Sequence, residues 1–344
     1  MTIRPDLNIV LHDAFDECWF AVATSAEVGA DPVAVTLRNR PYVLWRDAAG
    51  NLTATDDRCS HREARLSRGT LEHGCLRCPY HGWTFDETGH CIEIPSSGEG
   101  ASIPTSAHLV KRPVEERYGL VWMCPGTPSL PIPKLDVEEQ ADSTRLNTGM
   151  QVWNCSATRM IDNMLDLAHF AYTHVGTFGS EANKQVERFT LTQLDETFTG
   201  YEYEVLVTNE GDAKAMSGTG EDHVRIAMST GFALPFSVRS TMHYENGIKQ
   251  TLFQTASPSI STPEGTEQSY FTFVLWRNDD VTATGNDIVD FELQVALEDQ
   301  AMLEAISGEL TIERGGLVDV QSDKASARWR HHLRELIGYT DAAS

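Results

Sequence analysis

Short apolar runs separated by turn-forming residues dominate the first third of the chain, and this pattern predicts strands rather than helices. Residues 33–37, 42–45 and 52–55 are strand-like, and Asp47-Ala48-Ala49-Gly50-Asn51 reads as the hairpin turn between the second and third. Residues 76–78, 83–85 and 117–123 continue the pattern, with Asp86-Glu87-Thr88-Gly89 as a further turn. Residues 1 to about 30 form an entry segment whose Phe15, Trp19, Phe20 and Val22 are expected to pack on the strand-rich region after it. Four prolines within residues 125–133 exclude a helix or a central strand. The expected division is therefore an all-β domain over 1–125, a Pro-rich linker over 126–144 and a second domain over 145–344.

The second domain mixes both periods. Residues 156–173 carry apolar Met160, Ile161, Met164, Leu165 and Ala168 at helical spacing behind a capping Ser156. Strand-like alternation comes next at 189–194, 200–208, 223–229, 236–244, 249–256 and 269–276, with Tyr201, Tyr203, Val205 and Val207 sharing one face. Residues 209–222 and 257–268 are rich in Gly, Ser, Thr and acids and read as loops, the first of them a lid or a plain surface loop. Residues 288–307 read as an amphipathic helix and residues 322–337 as a Lys/Arg-rich helix. The fold class is α+β, with an all-β domain first and a sheet-plus-helix domain second.

Composition narrows the function classes. With 50 acidic against 27 basic side chains the net charge is −23, which disfavours nucleic acid and anionic membrane surfaces as partners. No apolar run approaches the length of a membrane span. The N-terminal residues alternate polar and apolar too often for a secretory signal, so a cytoplasmic location is expected. Seven cysteines are too few and too scattered for a secreted disulfide framework, and Cys75 and Cys91 are expected to be free thiols.

Two cysteines have histidine partners. Cys59-Ser60-His61 and Cys78-Pro79-Tyr80-His81 are separated by 16 residues. Two thiolates and two imidazoles are the ligand set of a Rieske [2Fe–2S] centre, with the cysteines on one iron and the histidines on the other. A zinc site also accepts two Cys and two His, but zinc fingers segregate the two types into separate halves, whereas each half here mixes them. The same stretch is locally basic, with Arg58, Arg62, Arg65, Arg68 and Arg77 against Glu63 and Glu72. Those arginines either dock an acidic electron donor or brace the loops.

A second constellation lies on the helix after Ser156. Asp166 and His169 share a helical face, whereas His174, five residues on, is rotated away by about 140° on a regular helix. For both imidazoles to reach one metal, the helix must end or bulge between them. Two histidines need a carboxylate to complete the facial triad of non-haem iron(II) oxygenases. Residue chemistry on the late helix offers Glu298, Asp299 and Glu304, of which Asp299 is preferred.

These motifs together resemble the oxygenase component of the Rieske non-haem iron oxygenases, from the cluster boxes to the C-terminal helix. The resemblance extends to the α-only monooxygenases, including the vanillate and dicamba O-demethylases, toluenesulfonate methyl-monooxygenase, caffeine N-demethylases and saxitoxin-type hydroxylases. It implies a helix-grip catalytic domain, a Rieske cluster on Cys59, His61, Cys78 and His81, and a mononuclear Fe(II) on His169, His174 and Asp299. It implies that Asp166 bridges His81 of one subunit to His169 of the next, in a homotrimer or larger ring. NAD(P)H would act indirectly through a reductase, with or without a ferredoxin, and O2 would oxidise a small aromatic or heterocyclic substrate. Asn154, Met160, Met164, Phe170, Phe178, Phe232, Phe236, His243, Phe253 and Phe291 are the expected pocket residues. A ring cis-dihydroxylating dioxygenase would share every metal ligand. An electron-transfer protein would need only the first domain, and a binding protein on a helix-grip fold would need no cluster.

Overall fold

The computed structural model describes residues 9–98, 100–181, 184–262, 266–313 and 316–339. They fall into two compact units, one made of Asp13–Ile132 with Ser257–Ile260, the other of the remaining residues.

The first unit is all-β. Its strands are β1 (Phe20–Thr24), β2 (Val33–Leu37), β3 (Arg40–Arg46), β4 (Leu52–Asp56), β5 (Thr70–Glu72), β6 (Cys75–Arg77), β7 (Thr84–Phe85), β8 (Cys91–Glu93), β9 (Val114–Arg117) and β10 (Leu120–Met123). They form three small antiparallel sheets, ordered β1-β10-β9, β2-β3-β4 and β5-β6-β7-β8. The Asp47 turn between β3 and β4 is a real turn: its carboxylate accepts the N–H groups of Ala49 and Asn51, both at 2.8 Å. Trp45, Leu66, Leu76, Phe85 and Leu109 pack into one core that also holds the side chains of Cys59 and Cys78.

The second unit is an eight-stranded antiparallel sheet gripping helices. Its strands are β11 (Thr144–Asn147), β12 (Gln151–Trp153), β13 (Thr192–Gln193), β14 (Thr199–Thr208), β15 (His223–Ala233), β16 (Ser237–Tyr244), β17 (Lys249–Ser261) and β18 (Glu267–Arg277). Their order is β11-β18-β17-β16-β15-β14-β13, with β12 also on β18. The helices are α1 (Ala157–Met164), α2 (Phe170–Thr173), α3 (Ala213–Ser217), α4 (Gly285–Leu303) and α5 (Lys324–Leu336). Helix α4 touches α1, α2, α3 and β11, so it is the element about which this unit's helices are arranged. Among the described residues no helix is long and apolar enough to cross a membrane.

Several expectations change. Residues 257–261 and 267–268 are strand, not loop, because buried hydroxyls there satisfy one another or the backbone: Ser261 Oγ donates to Glu267 at 2.6 Å and Ser257 Oγ to the Ala21 carbonyl at 2.7 Å. Residues 209–222 contain α3 and are pinned at the base, where Asn209 N–H donates to the Asp222 carbonyl at 2.8 Å. Only Thr192–Gln193 of the expected strand at 189–194 pairs. Ile9–His12 group with the second unit, whereas the sequence places them with the first; Glu309 accepts the N–H groups of Ile9 and Val10 at 2.6 and 3.3 Å.

Candidate metal centres and the adjoining cavity

Two loops of the first unit bring the Cys and His pairs together. In the first, the Cys59 N–H donates to the Ala64 carbonyl and the Glu63 N–H to Cys59 (both 2.9 Å). Buried Asp57 clamps its ends by accepting the Ser67 N–H and hydroxyl, both at 2.7 Å. In the second, Cys78 N–H donates to Trp83 (2.8 Å) and Gly82 N–H to Cys78 (3.1 Å). Gly82 has φ +71°, a backbone state that favours glycine, and a Cβ there would lie 3.1 Å from Pro95 Cγ.

The thiols of Cys59 and Cys78 are buried, whereas His81 is exposed. The His61 ring stacks flat on Trp83 (4.5 Å, 3°) and lies 4.6 Å from that of His81. Burial foremost, with the neighbouring Cys78 thiol, pushes Cys59 up to about 11, and His61 Nδ1 is buried without a hydrogen bond. Such thiols and such an orphaned nitrogen fit metal ligation. Among the described residues the only three donors close enough to share a single ion lie elsewhere. Cys59 lies beside Cys78 and His61 beside His81, the pairing that a two-iron cluster uses. Cys75 and Cys91 are free, as are the other cysteines. Of the five arginines, Arg58 pairs with Glu63, Arg65 with Asp57 and Arg77 with Glu72, so three of them brace these loops.

The second site is built where α1 stops. Ser156 caps the helix through Arg159 N–H (3.4 Å), and the carbonyl of Leu165 accepts the hydroxyl of buried Tyr201 at 2.9 Å. The chain then turns through Asp166, whose carboxylate accepts the N–H groups of Ala168 (2.8 Å) and His169 (3.2 Å) and so starts α2. His169 and His174 flank that single turn, and the backbone of His174 has already left the helix at φ −97°, ψ 27°. The break needed to converge the imidazoles is thus present, but its main part precedes His169 instead of falling between the histidines.

His169 Nε2 and His174 Nε2 are 3.1 Å apart, and Asp299 Oδ1 is 3.4 Å from each. That oxygen is buried and has no hydrogen bond, and the three donor atoms lie within 4.8 Å of one another. The outer nitrogens are held separately: His169 Nδ1 faces Asp166 at 3.3 Å and His174 Nδ1 faces Glu298 at 3.0 Å. Thr177 Oγ1 donates to the same Glu298 oxygen at 2.8 Å. Burial pulls His169 down, but the neighbouring Asp166 and Asp299 carboxylates outweigh it and raise the imidazole to about 9. Three carboxylates around two imidazoles favour a cation, and an unpaired buried carboxylate oxygen facing two ring nitrogens fits a facial triad. Of the rival acids, Glu298 backs His174, and Glu304 accepts the Asn154 N–H at 2.8 Å and Gln300 at 2.8 Å.

A cavity of about 130 Å³ opens beside this triad. Met164, Phe170, Phe178 and Phe291 line it as expected, together with Tyr201, Tyr203, Val205 and Val207. The other expected pocket residues are elsewhere. Met160 is buried in α1, Phe232 and Phe236 pack towards α5 against His332 and Trp329, and Phe253 packs on Phe198. On β16 and β17 the cavity takes Ser240, Met242, Tyr244, Leu252 and Gln254. Strand alternation therefore turns His243 and Phe253 to the other face. Asn154 is exposed and bonded to Glu304 and Gln268.

Sequence comparison matches residues 18–110 to the Rieske [2Fe-2S] domain and residues 153–338 to the vanillate O-demethylase oxygenase C-terminal domain. The chain belongs to the vanillate O-demethylase oxygenase family. It is 28% identical to the methylxanthine N1-demethylase of Pseudomonas putida over 92% of this chain and 88% of that one. It is 33% identical to the toluene-4-sulfonate monooxygenase iron-sulfur subunit of Comamonas testosteroni over 53% of this chain, a match that spans 52% of that protein. It is 36% identical to the dicamba O-demethylase oxygenase component of Stenotrophomonas maltophilia over 49% and 50%. The fold superposes on dicamba monooxygenase bound to 3,6-dichlorosalicylic acid (TM-score 0.81, 22% identity, 95% and 98% of the chains). It superposes on the caffeine-bound Pseudomonas putida demethylase with TM-score 0.79 (24% identity, 95% and 92%). The likeness identifies a Rieske domain followed by a helix-grip oxygenase domain.

Proposed function

We propose that the chain is the terminal oxygenase of a multicomponent Rieske system. It takes electrons that originate in NAD(P)H through a partner reductase and monooxygenates a small aromatic or heterocyclic molecule, by N- or O-demethylation or C–H hydroxylation. The observation that carries this reading is the triad of His169, His174 and Asp299 opening onto a largely apolar cavity. When bound, the iron would supply dioxygen activation, a chemistry no side chain provides. The relatives whose names specify N-demethylation, O-demethylation and a sulfonate monooxygenase support the same reaction class.

The protein's own contributions derive from its geometry. Asp166 and Glu298 fix the rings of His169 and His174 so that their Nε2 atoms converge. Met164, Phe170, Phe178 and Phe291 exclude water and hold the substrate's C–H bond near the triad. Cys59, His61, Cys78 and His81 would hold the cluster, which when bound would supply one-electron transfer, and His81 is the exposed residue of the four. Asp166 also lines a surface groove with Met302, Ile306, Leu317 and Val318. That groove is the proposed seat for the His81 loop of a second copy, in a homotrimer or larger ring. Arg62 and Arg68, without an ion-pair partner among the described residues, are available to an acidic electron donor. The proposed location is the cytoplasm.

Turnover under isotopically labelled dioxygen with a reductase tests the reading. One labelled oxygen atom per oxidised carbon is expected, with formaldehyde released if the carbon is an N- or O-methyl group. Two labelled atoms on adjacent ring carbons would assign cis-dihydroxylation instead, and no label in any product would refute an oxygenase.

A further inference from the structure

We propose that Glu292 is the group that recognises the substrate, and that it selects a ring compound presenting an N–H donor over carboxylates and sulfonates. The inference rests on the oxygenase reading above for what the cavity is, and it adds what the cavity takes.

Glu292 and Asp299 are both on α4, and both line the cavity. Seven residues are two turns of helix, about 10.5 Å along the axis and within about 20° of the same face. Glu292 therefore stands over the same space as the triad, at its far end. It is 8% exposed. Its Oε1 accepts Gln250 Nε2 at 2.7 Å, and its Oε2 has no hydrogen bond among the described residues.

The polarity of this arrangement is fixed from behind. Arg277 donates to Asp279 through Nε and one terminal nitrogen (both 2.8 Å), and through the other to the Met216 carbonyl and Gln250 Oε1 (both 2.9 Å). With its oxygen occupied by Arg277, the Gln250 amide can present only its N–H side to Glu292. The guanidinium is wholly buried and does not line the cavity. No Lys or Arg does. Gln250 alone donates to the Glu292 carboxylate, and burial foremost raises the carboxyl to about 7 against the pull of Gln250 and Arg277, so above that pH the ionised group has one donor.

A ligand N–H, neutral or cationic, supplies the missing bond. At this end of the cavity a carboxylate or sulfonate would meet ionised Glu292 above about pH 7 with no Lys or Arg to offset it; the cationic groups, His169 and the bound iron, stand at the other end. Vanillate, dicamba and toluene-4-sulfonate, after which relatives are named, are all anions, so this cavity departs from what those names imply. Loss of a hydrogen bond to a charged group corresponds to a weakening of about 10- to 100-fold.

The test is calorimetric titration of the holoenzyme without dioxygen, so that no turnover is needed, at pH 8, where the Glu292 carboxyl is ionised. The probes are benzimidazole and 2-aminobenzimidazole, which carry neutral and cationic N–H donors, 1-methylbenzimidazole, which lacks the N–H, and benzoate and benzenesulfonate. The two N–H compounds are expected to bind at least about tenfold tighter than the other three. In Glu292→Gln the new amide oxygen still accepts from Gln250 and an N–H2 group faces the cavity, so that preference should vanish. Equal or tighter binding of the anions, no binding by any probe, or an unchanged ranking in E292Q would overturn the proposal. If E292Q does not fold, the wild-type ranking alone decides. Failure of the oxygenase reading is seen separately, as absence of labelled oxygen in any product despite the expected binding order.

Discussion

Glu292 makes stability depend on pH in a direction opposite to most carboxylates. Its carboxyl is raised from 4.5 to about 7, chiefly by burial. Between those values the folded protein keeps a proton that the unfolded chain has released, so rising pH favours unfolding. The loss begins near pH 4.5, is complete above about pH 7, and at about 1.4 kcal/mol per tenfold change in proton affinity amounts to about 3 kcal/mol. Glu292→Gln removes the titration while keeping an acceptor for Gln250 Nε2, now 2.7 Å from Glu292. The assay is urea unfolding of wild type and variant at pH 5 and pH 8.5. The variant should gain about 3 kcal/mol relative to wild type on going from the lower to the higher pH. Glu309, raised to about 7, and Asp162, raised to about 6, titrate in both proteins and cancel in the comparison. Parallel profiles, with a relative change below about 0.5 kcal/mol, would show that Glu292 is solvated and that its charge is not stranded.

Other substitutions separate the roles assigned around the metal sites. Asp299→Ala should lose the mononuclear iron while keeping the cluster's visible absorption, and Glu298→Gln should keep the iron but weaken its binding about 10- to 100-fold, both read by metal analysis after dialysis. Asp166→Asn should retain both centres yet lose most turnover, with normal turnover counting against a bridging role. Tyr201→Phe leaves the Leu165 carbonyl without its 2.9 Å partner and should cost about 1–3 kcal/mol in urea unfolding.

The chemistry-bearing positions are largely legible in the sequence because each sits in a short local motif. Cys59-Ser60-His61 and Cys78 to His81 are set by tight loops whose spacing the chain states directly. His169 and His174 are recognisable, but the position of the break is not: it depends on Tyr201, 36 residues away, taking the last carbonyl of α1. Glu298 resembles a rival ligand on residue chemistry, although adjacent helical residues point about 100° apart and only one of a pair can face a given metal. The pocket is less legible, since an error of one residue on a strand turns a side chain to the other face; His243 and Phe253 are misplaced that way. Glu292 carries a signal of its own: it falls on the buried stripe of Ile288, Ala296 and Leu303, where an acid needs a reason.

Helix α4 also behaves as a ruler. One rigid element carries both Asp299 and, two turns earlier, Glu292, so their separation is set by helix pitch and not by loop conformation. Under the proposed recognition regiochemistry becomes a matter of length: the atom oxidised would be the one that lies a fixed distance from the N–H held by Glu292. Moving the acid one turn towards Asp299, to the position of Val295 or Ala296, would shorten that distance by about 5.4 Å and transfer oxidation to a carbon nearer the recognised nitrogen.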